Sequence, residues 1–536
     1  MHLSKLLYAV VFCYLLSAEK LCAQTPTLEA QAEETMLKAT RYMVENVSTN
    51  GGYVWYYLPD LSRRWGEMEA YKSMVWVQDG GTVTVGQMLL DAYHATGNEY
   101  LYEAAEKAAG AMIRGQSKAG GWNYMIDFAG EQSLKKWYNT IGKNGWRLEE
   151  FQHYYGNDTY DDDVTSSAAR FMLRMYIERF NPKYKVALDK AIRFLLSSQY
   201  PAGGWPQRFP LKNDFSKAGH PDYTGYYTFN DDVIWENVNF LIQCYYTLGD
   251  QKLREPIERG MNFYLLSQQA NGAWGQQYNM KLEPAGARTY EPAAYLPRAT
   301  FANAMLLLKF YQYTGDRKYL TRVPDAIAWL EKVRLPDSMS QNGYYTHSLF
   351  VEVGTDKPIF VHRRGSNVTY GRYYVDYNDG KLLGHMQGKG NINIQRLKDE
   401  YTRVSKLSPE EATKNSPLKI SEFNRDQVLQ RYATISQNGA AENESPSAEK
   451  VAQVISQLSD NRWLVKHAMI SNPYVGDGKN KEATDAFAST RVGDITDTSP
   501  YPDASDQLYL STPEYIKNMR ILAAYIRSAR QQQTAK

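Results

Sequence analysis

The chain has 536 residues, and 61 Lys and Arg stand against 59 Asp and Glu for a formal net charge of +2. So even a balance leaves no basic footprint and argues against a nucleic-acid partner. The 43 Tyr and 11 Trp fit either of two uses, stacking on sugars or packing between helices.

From the N-terminus, Lys5 precedes an apolar run from Leu6 to Leu16 that is too short to span a bilayer. Leu21-Cys22-Ala23-Gln24 suits cleavage before Gln24, so residues 1–23 are expected to be a signal peptide. Leu21 is bulky where a lipidated cysteine wants a small neighbour. The expected product is therefore secreted or periplasmic rather than a surface lipoprotein. No later apolar run reaches about 18 residues, so no membrane span is expected. Cys244 is the one cysteine beyond the signal and lies in a helical apolar pattern, where it reads as core.

A helix is predicted over 28–46, and an internal repeat then organises the chain. Gln116 to Trp122, Gln199 to Trp205 and Gln268 to Trp274 share one pattern of Gln, three residues, Gly, one residue, Trp. Weaker copies end at Tyr53 and Tyr344, which gives a period of roughly 70 residues. Between copies the apolar spacing predicts helix pairs over 84–113, 166–196, 233–266 and 300–333. Gly97, Gly249 and Gly315 each follow a Tyr by four residues, a helix-ending signal. A helix pair cannot bury its own apolar face and must stack on the next. The fold class that follows is all-α: an (α/α) toroid, or incomplete α/α barrel, of helix-hairpin repeats with small β-hairpin elements near 345–377. A toroidal domain over 24–380 and a helical extension over 381–536 packing on it are expected, and the protein as a monomer. Helices in the extension are predicted at 392–404, 408–413, 425–435, 447–458 and 514–530.

Aligned repeats also align what precedes each first helix. Asp161-Asp162-Asp163 and Asn230-Asp231-Asp232 occupy equivalent helix N-termini, which a toroid gathers on one face. Acids there serve as caps, but three consecutive Asp repel one another unless a cation sits among them, and hard oxygens on a loop suit calcium. Both uses stay open at this point. Arg288 lies just before the helix near 300, on the same face, and Arg363 and Arg364 follow Pro358-Ile359-Phe360. Arginines beside a cation suit a polyanionic ligand.

With these pieces in place the chain resembles the family 10 pectate lyases. The resemblance rests on Tyr160 to Thr165, Gly203 to Gln207, Thr228 to Asp232, Ala287 to Glu291 and Pro358 to Phe360, in order, over about residues 155–370. It implies calcium-dependent β-elimination of polygalacturonate, an acidic polysaccharide. It further implies Arg288 as the base, Asp161, Asp163, Asp231 and Asp232 as calcium ligands, and Arg363, Trp205 and Tyr290 as substrate-binding residues. The sequence departs from the family pattern at Gln276-Gln277-Tyr278, where Gln-His-Asp is usual, at Leu349 and at Arg364. Three competing readings share the scaffold. A triterpene cyclase uses the same repeat turn but needs a different acid motif. A glycoside hydrolase would use Asp162 with Glu236 or Glu291. A non-catalytic acidic-glycan-binding protein would need no acid–base pair.

Overall fold

The computed structural model describes residues 26–144, 149–212, 222–364, 372–382, 388–419, 422–436, 446–466 and 507–534. The expected signal peptide, 1–23, lies outside them. Fifteen α-helices are present among the described residues. They are α1 (Leu28–Tyr42), α2 (Thr82–Thr96), α3 (Glu99–Gly115), α4 (Glu131–Thr140), α5 (Val164–Arg179), α6 (Pro182–Ser198), α7 (Val233–Leu248) and α8 (Arg254–Ser267). There follow α9 (Pro297–Thr314), α10 (Val323–Lys332), α11 (Ile394–Ser405), α12 (Pro409–Ala412), α13 (Val428–Ser436), α14 (Ala448–Ser456) and α15 (Thr512–Thr534).

The repeat turn explains why the pairs stack. In each turn the Gln side chain donates to its own turn and to the next repeat. Gln116 Nε2 reaches Gly120 O and Ala187 O, Gln199 Nε2 reaches Gly203 O and Pro256 O, and Gln268 Nε2 reaches Gly272 O and Arg322 O, all at 2.8–3.1 Å. Each glycine has positive φ and lies against the following outer helix. A Cβ on Gly203 would sit 2.1 Å from Arg259 O, so only glycine fits. The Trp ring then turns back, and its Nε1–H donates to the carbonyl ten residues earlier, Met112, Leu195 or Tyr264, at 2.8–3.0 Å.

Helices α2, α5, α7 and α9 form the inner arc and α3, α6, α8 and α10 the outer one, each inner helix packing on its outer partner. Their C-termini close as expected, with Gly97, Gly249 and Gly315 in the left-handed region. In the second pair Phe180 takes that role, at φ 51°. The last helix, α15, packs between α1 and α2, so the two ends of the chain form a further pair. Thr40 and Tyr515 share a buried hydrogen bond of 2.9 Å across it. Helix α13 lies against α5 and α7. The expected hairpins appear as a four-stranded antiparallel sheet ordered 294–295, 350–352, 358–364 and 372–376. The result is an all-α, helical toroid, and the N-termini of α2, α5, α7 and α9 carry the loops that follow the Trp turns.

Candidate active site

Ahead of α5 and α7 the acidic segments form single 3-10 turns, Asp161–Asp163 and Asn230–Asp232. Both turns bend through the left-handed region twice. Asp162 and Asp163 have φ 48° and 57°, and Asp231 and Asp232 have φ 47° and 55°. Side chains other than glycine take that geometry at a cost of about 1–2 kcal/mol each, so the two turns hold strain where function is expected to sit. Neither Asp163 nor Asp232, the residue at each helix start, caps its helix with a side-chain hydrogen bond. Capping therefore does not explain the acids.

Their carboxylates line a cavity of about 450 Å³ walled by Trp55, Glu67, Gln78, Asp79, Asp162, Asp163, Asp231 and Asp232. Tyr124 OH donates to Asp161 Oδ2 at 2.6 Å, and Gln78 Nε2 to Asp162 Oδ2 at 2.6 Å. Among the described residues, no donor reaches the buried oxygens Asp161 Oδ1 and Asp163 Oδ1. Burial pushes Asp163 up to about 8, reinforced by Glu236 and opposed by Arg170. Enclosure by the protein, then repulsion from Asp161 and Asp162, also raises Asp231 well above the carboxylate range. Asp162 and Asp231 nevertheless remain open to the cavity's water, which screens their repulsion.

Arg288 reaches this cluster from the loop before α9. Its Nε and Nη2 donate to Glu291 Oε2 and Oε1 at 2.9 and 3.0 Å, a bidentate pair, and its Nη1 lies 3.7 Å from Glu150 Oε2. Gln276 Nε2 bridges Glu291 Oε1 at 3.0 Å and Asn230 Oδ1 at 3.1 Å, which ties the arginine to the second acidic turn. Burial disfavours the charged guanidinium, but Glu291, Tyr290 and Glu150 outweigh it, and Arg288 is held firmly protonated. Burial pushes Glu150 up to about 7, against the pull of Arg288.

Two residues expected at the substrate are placed elsewhere. Trp205 is fully buried, its ring spent on the repeat turn, and it offers no face to a sugar. Tyr290 is also fully buried. Its ring stands 5.0 Å from the Arg288 guanidinium and supports the arginine rather than a ligand. Arg363 lies on the strand Pro358–Arg364, opposite Tyr373, and its side chain lies outside the described residues.

The chain also has parts that the sequence reading passed over. Glu149 accepts from the Thr289 backbone N–H at 3.2 Å and from its hydroxyl, fixing the loop that carries Arg288. Arg208, wholly buried, lies between the rings of Tyr124 and Tyr155, at 5.1 and 4.4 Å. Glu149 and Glu150 fall in an insertion of the first full repeat, with no counterpart in the others to draw attention to them.

Does this set fit calcium? The oxygens are hard, and two of the buried ones lack a donor among the described residues, which is the chemistry such a cation takes. Among the described residues, no three acidic, His or Cys side chains converge tightly enough to hold a metal. The donors are of the kind such a cation takes, and they stand apart rather than gathered on one point.

The sequence pattern of the pectic acid lyases matches residues 116–401, more than half of the chain. The protein belongs to the pectic acid lyase family. As a member it is a polysaccharide lyase, and the hydrolase, cyclase and non-catalytic readings give way. Among solved structures, a family 10 polysaccharide lyase from Cellvibrio cellulosa is 16% identical, with 60% of this chain and 96% of that one covered and a TM-score of 0.40. A mutant of that lyase in complex with trigalacturonic acid is 15% identical, covering 67% and 98%, at 0.36. Cellobiose 2-epimerase from Bacillus thermoamylovorans is 12% identical, covering 94% and 98%, at 0.39. No curated protein matches the chain.

Proposed function

We propose that this lyase cleaves polygalacturonate-type acidic polysaccharide by calcium-dependent β-elimination outside the cytoplasm, delivered there by the signal peptide of residues 1–23. The observation that supports this most is the placement of Arg288 beside two strained, uncapped acidic turns at the mouth of the toroid. In the reaction a base takes the C5 proton of a uronate, the electron pair forms the C4–C5 double bond, and the C4–O bond breaks, its oxygen taking up a proton. When bound, calcium supplies positive charge that neutralises the uronate carboxylate and acidifies that proton.

Asp161, Asp163, Asp231 and Asp232 would hold the cation, with hard oxygens already short of donors. Arg363 would pair with a uronate carboxylate. Arg288 is the proposed base. Its pairing with Glu291 keeps it protonated at rest, so abstraction requires that pair to open once a substrate occupies the cavity and the guanidinium first to give up a proton, to a neighbouring carboxylate or to water. Glu149 and Gln276 hold the surrounding loop and Glu291 in register for that change.

The test is one assay of purified protein on polygalacturonate, with and without calcium, following ultraviolet absorbance of the unsaturated product. Absorbance that appears only with calcium upholds the reading. Reducing ends without absorbance would overturn elimination, and full rate in chelator would overturn the calcium role.

A further inference from the structure

We infer that Glu150 is the positioning residue of the base: it takes up the Nη1 proton that Arg288 must shed before it can act on C5. The inference rests on the proposed function and names the partner that this function needs.

Arg288 lies between two buried carboxylates, and they are not equivalent. Glu291 is full. Its Oε2 accepts from the Arg288 backbone N–H at 3.0 Å and from Nε at 2.9 Å, and its Oε1 from Nη2 and from Gln276 Nε2, both at 3.0 Å. These donors occupy the acceptor sites that a carboxylate offers, so a proton arriving there must displace one of them. Glu150 is open. Its Oε2 is buried and accepts no hydrogen bond among the described residues, and it stands 3.7 Å from Nη1, the nitrogen that Glu291 does not engage. A buried acceptor without a donor is costly to keep and calls for a use.

Glu150 is also held in place. It belongs to the single turn Glu149–Phe151. Glu149 grips Thr289, next to the base, while the Phe151 ring packs on Tyr124 at 4.8 Å and on Trp137 at 6.0 Å. A gap of 3.7 Å makes an ion pair and is too long for a hydrogen bond. When the Glu291 pair opens, the guanidinium is free to close it. The Nη1–H bond then breaks with its electron pair left on nitrogen, and the proton joins Glu150 Oε2. That pair takes the C5 proton, which restores the guanidinium. Glu150 passes its proton to water, and the departing C4 oxygen takes one from water, so the cycle balances.

The charges around the two carboxylates agree with this choice. Burial pushes Glu150 up to about 7 against the pull of Arg288, with Asp161 and Asp162 adding to the push. Burial also raises Glu291, but Arg288 and the donors on it outweigh that and hold it below the ordinary range. A proton leaving Arg288 therefore goes more readily to Glu150. The phenols of Tyr124, Tyr138, Tyr155, Tyr223 and Tyr290 face Glu150, and burial keeps them neutral.

The experiment follows unsaturated product from polygalacturonate for wild type, Glu150→Gln, Arg288→Ala and the double variant. Calcium is saturating, which keeps the aspartates of the acidic turns ionised. Glu150→Gln keeps the shape of the side chain and should lose about 10²-fold in kcat with KM little changed. Wild-type kcat/KM should fall as pH drops below about 7, since a protonated Glu150 cannot take the proton, and this limb should vanish in Glu150→Gln. Glu150→Asp keeps a carboxylate and should recover part of the rate together with the limb. Because Glu150 acts through Arg288, the double variant should be no slower than Arg288→Ala alone. Losses that multiply in the double variant overturn the inference. So does a limb that persists in Glu150→Gln, or a Glu150→Gln enzyme at wild-type rate. Should Glu150→Gln fail to fold, Glu150→Asp carries the same comparison, and its loss should disappear against Arg288→Ala. If wild type itself releases no unsaturated product, the proposed function falls, which a failure confined to the Glu150 variants would not bring about.

Discussion

Arg288 is where the chemistry is most exposed to test. Removing a group that acts only in the transition state lowers kcat far more than it changes KM, so Arg288→Ala should cost about 10²–10⁴-fold in kcat, read as unsaturated product. Arg288→Lys keeps the charge but loses the two-pronged pairing with Glu291 and should be similarly impaired. Arg363→Ala should raise KM first and keep residual turnover at saturation. Asp163 supplies a pH prediction. Its carboxyl stands near 8 because of burial, then Glu236, so the stability it contributes is fully present below the ordinary carboxylate range and is lost as pH rises through about 8. Thermal melts of calcium-free protein should therefore show Tm falling from pH 5 to pH 8, and falling less in Asp163→Asn. Added calcium should restore Tm mainly at the upper end, because the carboxylates are ionised there and the cation has fewer protons to displace. Among these residues the two acidic turns were legible because a repeat placed them at matching positions. Trp205 was misread for the same reason: a repeated aromatic looks alike whether it stacks on sugar or pins a turn.

Elements were read more securely than residues, because a helix pair advertises itself in apolar spacing and in its closing glycine. The expected starts at 84, 166, 233 and 300 became 82, 164, 233 and 297. Two glycines separate the costs involved. Gly97 has φ +73° with nothing within 4 Å of an added Cβ, while Gly203 has φ +107° with Arg259 O at 2.1 Å. Gly97→Ala should cost about 1 kcal/mol from backbone strain alone. Gly203→Ala should cost at least about twice that, because repeats two and three must also part. Urea titrations of both variants check the ordering. What spacing could not show was the job of the repeated Gln in each turn, since its second acceptor, such as Pro256 O for Gln199, belongs to a helix more than 50 residues further on.

At the scale of the whole molecule, the part that stayed hidden in the sequence is the pairing of its two ends. Helix α15 reads as one more amphipathic segment, and nothing in its pattern names α1 and α2 as its neighbours. The contacts are specific, with Arg530 Nε paired to Glu29 Oε1 at 3.0 Å and the Thr512 hydroxyl donating to Val54 O at 2.6 Å. Deleting residues 507–536 should lower Tm and open α1 to protease. Thr512 also fastens Trp55, and this ties one wall of the acidic cavity to the timing of the chain's manufacture. A ribosome finishes the acidic turns some three hundred residues before it makes the residue that locks the Trp55 wall. A nascent or clipped chain can thus own both acidic turns and still lack the residue that fastens the Trp55 wall, so this part of the cavity is the last that the protein completes.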